Sequence, residues 1–510
     1  MRVEDVLYEK FGYRVFRIGQ KGIIEDLLRG VSVVAMLPTG GGKSVCYQVP
    51  GYMMHGIVLI VSPLLSLMED QVNQLRLIGE KRVIAFNSFR TMEEKREAIR
   101  NLSFYKFIFA SPEMLQARSF LHALKQMNIA LFVVDEAHCI SQWGYDFRPD
   151  YKKLDHVIQE LGNPAVLALT ATATREVLED IAHSLHLTTA SFHLHSVDRP
   201  NIALQVEHVE TLDDKKERVL LYASQLQGPG IIYCSSRSWA EALAQALRAS
   251  GIEGVAYYHG GMEQEERMLI QQQFMKGQLS IIVCTSAFGM GINKPDVRYI
   301  IHFHYPSNLE SYLQEIGRAG RDGGASIAIL LFCTVDHELP LSLIQEELPN
   351  ERSIAYCLSL FKEELIRRPV LLLSDAEYIA RNVAGFAEQH WRFLQYRLEQ
   401  IGAVKGKELI LEAIPSYAPA LFYERVVERL NRKYEKLQVM RRWLEGSGCR
   451  RESLLRFFDY EKESEPKQCC DVCGIMLDVY KKNGKSGALP YAGWREELKQ
   501  ILGIGETEAI

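Results

Sequence analysis

The chain has 510 residues, enough for about three or four domains at roughly 100 to 200 residues each, which excludes a single small module. With 47% hydrophobic and 24% charged residues, its composition excludes a largely disordered or fibrous protein. A formal net charge of -5 argues against a globally basic surface that wraps nucleic acid, but it permits a local basic channel.

Hydrophobicity and cysteine placement bear on the compartment. No window approaches the ~18 consecutive apolar residues of a spanning helix, and Met1–Lys10 lacks the basic and then apolar run of a secretory signal. We therefore predict a cytoplasmic protein without a membrane partner, associated with the nucleoid if it is bacterial. Six of the ten cysteines are scattered, and four lie late in the chain. That grouping predicts a metal site rather than disulfides.

Short apolar, β-branched runs alternate with helical patterns over two long stretches, as in parallel βαβ units. The runs in the first stretch are Val33–Leu37, Ile57–Val61, Phe107–Ala110, Phe132–Asp135 and Val166–Leu169. Those in the second, after a polar stretch at Ser196–Asn201, are Gly230–Cys234, Val255–Tyr258, Ile281–Cys284, Tyr299–Phe303 and Ile327–Phe332. The pattern predicts two similar α/β lobes in tandem.

Beyond Asp336 we expect strands to give way to helices. Apolar residues stepping by three or four between Tyr423 and Leu444 predict one long amphipathic helix. Before it, the pattern predicts two helices, at Ser374–Val383 and Ala387–Gly402, and a hairpin at Val404–Ala413. This order resembles a winged helix, but it also arises by chance. The tail at Lys481–Ile510 is expected to be mobile.

The segment Met36–Ser44, MLPTGGGKS, follows a predicted strand and precedes helix-forming residues, where a phosphate-binding loop lies. Its glycines let backbone amides approach phosphate, Lys43 would neutralise the β and γ phosphates of ATP, and Ser44 would ligate Mg²⁺. Leu37 replaces the usual first glycine, and a simple glycine-rich turn is the alternative. The predicted nucleotide contacts of this loop are Leu37, Pro38, Thr39, Gly40, Gly41, Gly42, Lys43 and Ser44.

Two carboxylates end an apolar strand in the same lobe, in the string LFVVDEAH. Asp135 can hold Mg²⁺ through water, and Glu136 can polarise the attacking water. Two carboxylates at the end of a strand usually lie at a solvent-exposed edge of a sheet. Together with the phosphate loop, this pair predicts a nucleoside triphosphatase site.

The second lobe contributes SYLQEIGRAGRDG, which contains Gln314, Arg318 and Arg321. Arginines three residues apart share one face of a helix, and across a cleft between the lobes they could stabilise charge on the γ phosphate. A surface salt-bridge patch is the alternative for this motif alone. We predict that all three residues are catalytic.

An aromatic segment follows the acidic motif directly. It places Trp143, Tyr145 and Phe147 beside Arg148, and aromatic rings next to a cation are suited to stacking on unpaired bases. A packed loop core is the alternative. We predict that Trp143, Phe147 and Arg148 contact nucleic acid and couple it to the ATP site.

The late cysteines Cys449, Cys469, Cys470 and Cys473 offer four thiolates for a tetrahedral Zn²⁺ with bonds of about 2.3 Å. The spacing Cys470–Cys473 is typical of zinc sites. Because adjacent cysteines rarely bind one ion, Cys469 or Cys470 could be a bystander, and four reduced, unliganded cysteines are a further alternative.

These motifs together resemble the RecQ family of superfamily 2 DNA helicases. The diagnostic string is DEAHCISQWGYDFRPDY at Asp135–Tyr151, which joins the acidic motif to the aromatic segment. The other matching strings, in chain order, are FGYRVFRIGQ (Phe11–Gln20), VSPLLSLMEDQV (Val61–Val72), ASPEML (Ala110–Leu115), LTATAT (Leu169–Thr174), DRPN (Asp198–Asn201), YYHGGM (Tyr257–Met262) and TSAFGMGINKPDVR (Thr285–Arg298).

The resemblance implies two RecA-like lobes followed by a helical, zinc-binding C-terminal region. The predicted domain limits are 1–195 for the first lobe, 196–340 for the second lobe, 341–420 for a helical region that could be a winged-helix-like insertion, 421–480 for a helical zinc-binding subdomain and 481–510 for the tail. The resemblance also assigns Arg17 and Gln20 to nucleotide recognition. The phosphate contacts to DNA that it implies are Ser62, Thr172, Ser236 and Thr285.

Two departures from the family pattern concern the C-terminal region. Lys467 stands where the first cysteine of a C-x-x-C-x-x-C run is usual, so Cys469 would have to substitute. We expect no winged helix after the zinc region, because 37 residues follow Cys473 in this sequence. One present in Glu351–Ala413 would precede the zinc site, an unusual order.

The predicted function is an ATP-dependent DNA helicase with 3′–5′ polarity, acting in DNA repair, recombination or replication-fork processing. We expect ATP, Mg²⁺ and Zn²⁺ as cofactors, and single-stranded, branched or tailed duplex DNA as partner. A single-stranded-DNA-binding protein is a further expected partner, and the helicase is expected to be a monomer. An RNA-directed ATPase and an annealing or scaffolding protein are the alternatives.

Overall fold

The computed structural model describes residues 2–86, 91–141, 148–289, 294–368 and 370–482. The predicted nucleic-acid contacts Trp143 and Phe147 lie outside the described residues, as does nearly all of the predicted tail. Within those ranges, the chain forms two parallel-sheet lobes and a helical region that follows them.

The first lobe is built on a seven-stranded parallel sheet in the order β3-β4-β2-β5-β6-β1-β7. Its strands are β1 Val33–Met36, β2 Ile57–Val61, β3 Val83–Phe86, β4 Phe107–Ala110, β5 Ile129–Val134, β6 Val166–Thr170 and β7 Ser191–Leu194. Its helices are α1 Val3–Phe11, α2 Gln20–Leu28, α3 Val45–Met53, α4 Leu65–Leu77, α5 Met92–Arg100, α6 Pro112–Leu115, α7 Arg118–Lys125, α8 Leu154–Glu160 and α9 Arg175–Ser184. Helices cover both faces, which explains why the central strands are continuous apolar runs.

The second lobe repeats this plan with a six-stranded parallel sheet in the order β10-β11-β9-β12-β13-β8. Its strands are β8 Ile202–His208, β9 Gly230–Tyr233, β10 Val255–Tyr258, β11 Ile281–Cys284, β12 Tyr299–His302 and β13 Ser326–Phe332. Its helices are α10 Leu212–Gln225, α11 Arg237–Ala249, α12 Gln264–Met275 and α13 Leu309–Ile316. In both lobes the loops after the strands gather at one sheet edge, where ligands bind in such folds.

The region after the second lobe, which we call the accessory region (residues 338–482), is mainly helical. Its helices are α14 Glu338–Glu346, α15 Glu351–Arg367, α16 Leu373–Tyr378, α17 Glu388–Gln400, α18 Ala418–Glu445 and α19 Arg450–Phe457, with a π-helical turn at Ile379–Val383. Three short strands, β14 Leu371–Leu372, β15 Val404–Lys405 and β16 Glu408–Leu409, form an antiparallel sheet in the order β14-β16-β15. None of the helices within the described ranges combines the length and the apolar character needed to cross a membrane.

The predicted fold class is confirmed, with two parallel-sheet lobes and a helical C-terminal region. In the two lobes, three strands were not predicted: β3 and β7 at the edges of the first sheet and β8 at one edge of the second. The edge strand β7 alternates between partly buried and exposed residues, and such a short run lacks the continuous apolar pattern of a central strand. The helices and the hairpin expected beyond Asp336 are present, and Leu371–Leu372 adds an unpredicted third strand to the hairpin.

Candidate functional sites

The loop between β1 and α3 is a tight glycine turn. Gly40 and Gly42 have positive φ angles of 81° and 75°. A Cβ atom on Gly41 would stand 2.9 Å from the carbonyl oxygen of Pro38, and one on Gly42 would stand 2.6 Å from Nε2 of Gln20. Only glycine leaves this backbone open for the close approach of phosphate oxygens. The loop therefore fits the triphosphate of a nucleotide.

Arg17, which precedes α2, and Gln20, the first residue of α2, both form hydrogen bonds with the same loop. Nε2 of Gln20 donates hydrogen bonds to the carbonyl oxygens of Gly41 and Gly42, both at 3.0 Å. The backbone N–H of Arg17 donates to Oε1 of Gln20 at 2.9 Å, and the Arg17 guanidinium donates to the carbonyl of Gly40. The residues assigned to nucleotide recognition thus contact the phosphate loop itself.

The carboxylates Asp135 and Glu136 follow β5 at the same edge. Glu136 has a φ angle of 48°, which is rare for a residue with a side chain, and its Oε1 lies 3.4 Å from Nζ of Lys43. Burial raises the pKa of Asp135 to about 6, although Lys43 opposes that shift. Burial acts on Glu136 in the same direction, but the nearby Lys43 and His138 outweigh it and lower the pKa of that carboxyl. Glu136 is therefore ionised at neutral pH, as a group that orients water must be.

The second lobe brings Arg318 toward Glu136 and Arg321 toward the phosphate loop. Arg318 is buried and donates to the carbonyl of Gly289. The Cγ atom of Arg321 lies 3.2 Å from where a Cβ on Gly40 would stand. Burial, with repulsion from neighbouring arginines, lowers the pKa of Arg321 to about 9. An anion placed here would relieve that repulsion.

The side chain of Gln314 lies on α13, four residues before Arg318 in the chain. It is 9% exposed, and its buried Nε2 has no hydrogen-bond partner among the described residues. A buried amide nitrogen without a partner costs about 1 to 3 kcal/mol. The glycine loop and the two arginines fit the triphosphate of a bound nucleotide, and the amide nitrogen of Gln314 is a buried donor left for a further acceptor.

The sequence motifs did not single out Arg199, which contacts both lobes. Its guanidinium donates to the carbonyl of Thr39 in the phosphate loop at 2.8 Å and to the carbonyls of Gly317 and Ala319 at 3.2 and 3.0 Å. Burial lowers its pKa to about 10. The motif DRPN contains this arginine, but nothing in the string indicates that its partners lie at the nucleotide site.

His138 was not predicted either. Its Nδ1 atom lies 3.1 Å from Oγ1 of Thr170 and 3.4 Å from Oε2 of Glu136. Oγ1 of Thr170 in turn lies 3.4 Å from the backbone N–H of Thr172. This chain of polar contacts connects the proposed water-orienting carboxylate to the loop after β6.

The four late cysteines form one cluster. Their Sγ atoms all lie within 4.8 Å of one another, with Cys449 at 3.7 Å from Cys469 and 3.9 Å from Cys470. Thiolates bound tetrahedrally at about 2.3 Å from Zn²⁺ lie about 3.8 Å apart. The cluster therefore fits Zn²⁺, and it includes both Cys469 and Cys470, so the geometry marks neither as a bystander.

A buried arginine attaches this cluster to the second lobe. Arg451, 2% exposed, donates to the carboxylate of Asp198 and to the carbonyls of Arg199, Ile202 and Cys469. A continuous path of contacts thus runs from the cysteine cluster through Arg451 and Arg199 to the phosphate loop.

Three family models match the chain in order along its length. They are a DEAD/DEAH box helicase domain at residues 17–181, a helicase conserved C-terminal domain at 213–323 and a RecQ zinc-binding domain at 419–474. The probable ATP-dependent DNA helicase RecS of Bacillus subtilis is 45% identical over 99% of this chain and 98% of its own length. The chain belongs to the RecQ family of ATP-dependent DNA helicases.

Other relatives match less of their own length. The ATP-dependent DNA helicase RecQ of Pasteurella multocida is 40% identical over 65% of this chain, which spans only 52% of that protein. Among solved structures, the helicase Lhr of Mycobacterium smegmatis, bound to single-stranded DNA and AMP-PNP, has a TM-score of 0.57 at 19% identity and covers 79% of this chain and 58% of its own. That likeness concerns the fold alone.

The loops that the RecQ family pattern assigns to DNA follow strands at the nucleotide-facing edge of each sheet. Ser62 and Thr172 are each only 1% exposed, so their side chains are not accessible to a DNA strand in this structure. The hydroxyl of Ser236 accepts from the N–H of Trp239 at 3.2 Å, and that of Thr285 accepts from the N–H of Ala287 at 3.4 Å. These hydroxyls therefore shape their loops.

Of the residues singled out in the aromatic segment, Arg148 is the one that lies within the described ranges. Its guanidinium donates to the carbonyl of Pro63 at 3.0 Å, next to Ser62. The structure thus brings together two predicted DNA-contacting loops of this RecQ-family chain that are far apart in sequence.

Proposed function

We propose that this chain hydrolyses ATP to unwind duplex DNA with 3′–5′ polarity. The observation that carries the proposal is a nucleotide site built from both lobes, in which Arg199 of the second lobe donates to Thr39 of the phosphate loop in the first. Closure of the lobes on ATP and their separation after hydrolysis would change the spacing of the DNA-contacting loops. The direction of travel rests on the family resemblance.

The roles of the site residues follow from their chemistry. Lys43 would neutralise phosphate charge, and Glu136 would orient the attacking water. Arg318 and Arg321 would stabilise charge that develops on the γ phosphate, and Gln314 would contact it through its amide. Mg²⁺, held by Ser44 and Asp135, would offset the charge between the β and γ phosphates.

The accessory region supplies two structural units to this proposal. Zn²⁺ held by Cys449, Cys469, Cys470 and Cys473 would contribute mainly to stability. We infer that Glu351–Ala413 is a winged helix, because α15, β14, α16, α17 and the hairpin β15–β16 occur in that order and the strands pair as one antiparallel sheet. Third helices of such units commonly face DNA.

The DNA contacts are proposed to be mainly with the backbone, through the loops that contain Ser62, Arg148, Thr172, Ser236 and Thr285. Backbone contacts carry no sequence information, so binding should be salt-sensitive and largely sequence-independent. A role in repair, recombination or fork processing, a single-stranded-DNA-binding protein as partner, and a monomeric state belong to the same proposal.

The test is strand separation of two matched duplexes, one with a 3′ single-stranded tail and one with a 5′ tail, in the presence of ATP and Mg²⁺. The expected result is that only the 3′-tailed duplex opens, and only with ATP. Opening of the 5′-tailed duplex alone would reverse the proposed polarity. A matched RNA strand serves as control, and stronger ATPase stimulation by RNA than by DNA would favour the RNA-directed alternative.

A further inference from the structure

Two cavities lie where the accessory region meets the lobes. One, of about 420 Å³, lies between the first lobe and helices α17 and α18, and Arg148 lines it. The other, of about 230 Å³, lies against the second lobe and is lined by Ser235 and Ser286, the neighbours of Ser236 and Thr285. Each cavity therefore borders a loop that is expected to contact DNA, one in each lobe.

The two cavities share one residue. Glu347, directly after α14, lines both of them. Its carboxylate lies 3.3 Å from the Arg429 guanidinium and also binds the Lys433 ammonium, both on α18. These ion pairs therefore lie where the two cavities meet.

The larger cavity is strongly charged, with more basic than acidic side chains. Its basic members are Arg148, Lys153, Arg392, Arg397, Arg425, Arg429 and Arg432. Among the acidic ones, Glu399 is paired with Lys153 at 2.8 Å, and Glu428 with Arg425 at 2.9 Å.

Arg397 on α17 illustrates the unbalanced charge. Its guanidinium donates to the neutral side chain of Gln400 at 2.6 Å and lies over the ring of Phe393. Burial lowers its pKa, and repulsion from Arg425 and Arg429 adds to the effect. An anion in the cavity would relieve this repulsion.

Ion pairs attach the helices that line these cavities to both lobes. Lys436 of α18 lies 2.5 Å from the buried Glu310 of α13 in the second lobe, while Lys153 of the first lobe contacts Glu399 of α17. The accessory region thus contacts both lobes, next to the loops that are expected to bind DNA.

We propose that helix α18 forms the floor of a channel for single-stranded DNA, in which a backbone phosphate replaces the Glu347 carboxylate on Arg429 and Lys433. The channel rests on the proposed helicase function and adds a binding surface to it. In the absence of DNA, Glu347 satisfies the two cations. A phosphodiester, with the same charge and similar acceptor oxygens, would bind them in its place.

The test is equilibrium binding of a fluorescent oligothymidine to the full chain at several salt concentrations, without nucleotide. The variant Glu347→Gln should bind severalfold more tightly, because the competing carboxylate is gone. The double variant Arg429→Gln/Lys433→Gln should bind more weakly, with a salt slope shallower by about 0.7 for each phosphate that these cations no longer neutralise. In that double-variant background, Glu347→Gln should no longer tighten binding.

Matched controls lie on another face of the same helix. Glu435 and Arg442 are exposed and line a separate surface of α18. Glu435→Gln changes the net charge by the same amount as Glu347→Gln, and Arg442→Gln removes one of the two positive charges that the double variant removes. Both controls should leave the affinity and the salt slope close to those of the unaltered chain. Because Glu347→Gln predicts a gain of affinity, a misfolded variant cannot imitate it.

Two results would overturn the channel: Glu347→Gln binding no more tightly than Glu435→Gln, or the double variant retaining the full salt slope. DNA-stimulated ATP hydrolysis by the unaltered chain separates this outcome from failure of the helicase proposal. If hydrolysis is stimulated but the variants behave as their controls, only the channel is wrong. If DNA does not stimulate hydrolysis, the helicase proposal itself fails.

Discussion

The two lobes and the accessory region use buried charge differently. At the nucleotide site, Arg318, Arg321 and Glu136 are crowded together, and the amide of Gln314 lacks a partner among the described residues, so the site is incompletely satisfied without a ligand. In the accessory region, the buried Arg450 and Arg451 donate to several acceptors, including Asp471 and Asp198, and Nε of Arg451 is the one guanidinium nitrogen of the pair without a partner among the described residues. Unsatisfied groups are typical of sites that bind, and satisfied ones of attachments that hold a fold together.

This difference predicts opposite consequences of substitution. Changes in the lobe motifs should reduce activity more than stability, because their partners are ligands. Changes at the zinc cluster and its attachment should reduce stability first, and activity only as a result.

The largest loss of stability is expected from the cysteine cluster. Cys469→Ser and Cys470→Ser should each lower the zinc content well below one ion per chain and lower the thermal midpoint, because apparent binding free energies of structural zinc are about 10 to 16 kcal/mol. Metal analysis of folded, chelator-washed protein measures the effect. Cys357→Ser, a buried thiol outside the cluster, is the control and should retain its zinc. If one of the paired variants keeps a full ion, that cysteine is a bystander.

Arg451 provides the next test. Arg451→Gln removes the guanidinium partner of the buried Asp198 carboxylate, while the carbonyls of Arg199 and Cys469 keep backbone donors. Breaking such a buried pair costs about 3 to 5 kcal/mol. Denaturant unfolding measures the loss. The control is Arg456→Gln on the same helix, whose exposed pair with Glu452 is worth about 0.3 to 0.5 kcal/mol. Equal stability of the two variants would contradict the attachment of the zinc cluster through Arg451.

Lys43 tests the other half of the comparison. Lys43→Ala should reduce ATP turnover about 10²- to 10³-fold, the usual effect of removing one group that stabilises transition-state charge, while DNA binding stays measurable. Steady-state hydrolysis and DNA binding are measured together, with the exposed Lys81→Ala as control. Normal turnover in Lys43→Ala would contradict the assignment of the phosphate loop.

The same division explains what sequence could predict. The apolar strand runs, the glycine loop, the paired carboxylates and the cysteine cluster are local patterns whose chemistry is written in neighbouring residues. Arg199 and Arg451 escaped prediction because their partners are remote: Thr39 lies 160 residues from Arg199, and Asp198 lies 253 residues from Arg451. Glu347 carries no motif, and only the packing of α14 against α18 places it between two cations.

The smallest expected effect concerns the contact between the first lobe and α17. Lys153 and Glu399 lie 2.8 Å apart and are 34% and 24% exposed, so a double-mutant cycle with Lys153→Gln and Glu399→Gln should give a coupling of about 0.2 to 1 kcal/mol. The reversed pair, Lys153→Glu with Glu399→Lys, should restore most of the stability that either single reversal removes. The coupling is measured by unfolding the unaltered chain, the two single Gln variants and the double Gln variant at low and high salt. It should shrink as the salt concentration rises. A coupling near zero at low salt would contradict the attachment of α17 to the first lobe. Because that attachment closes one side of the proposed channel, its removal should also weaken the binding of single-stranded DNA.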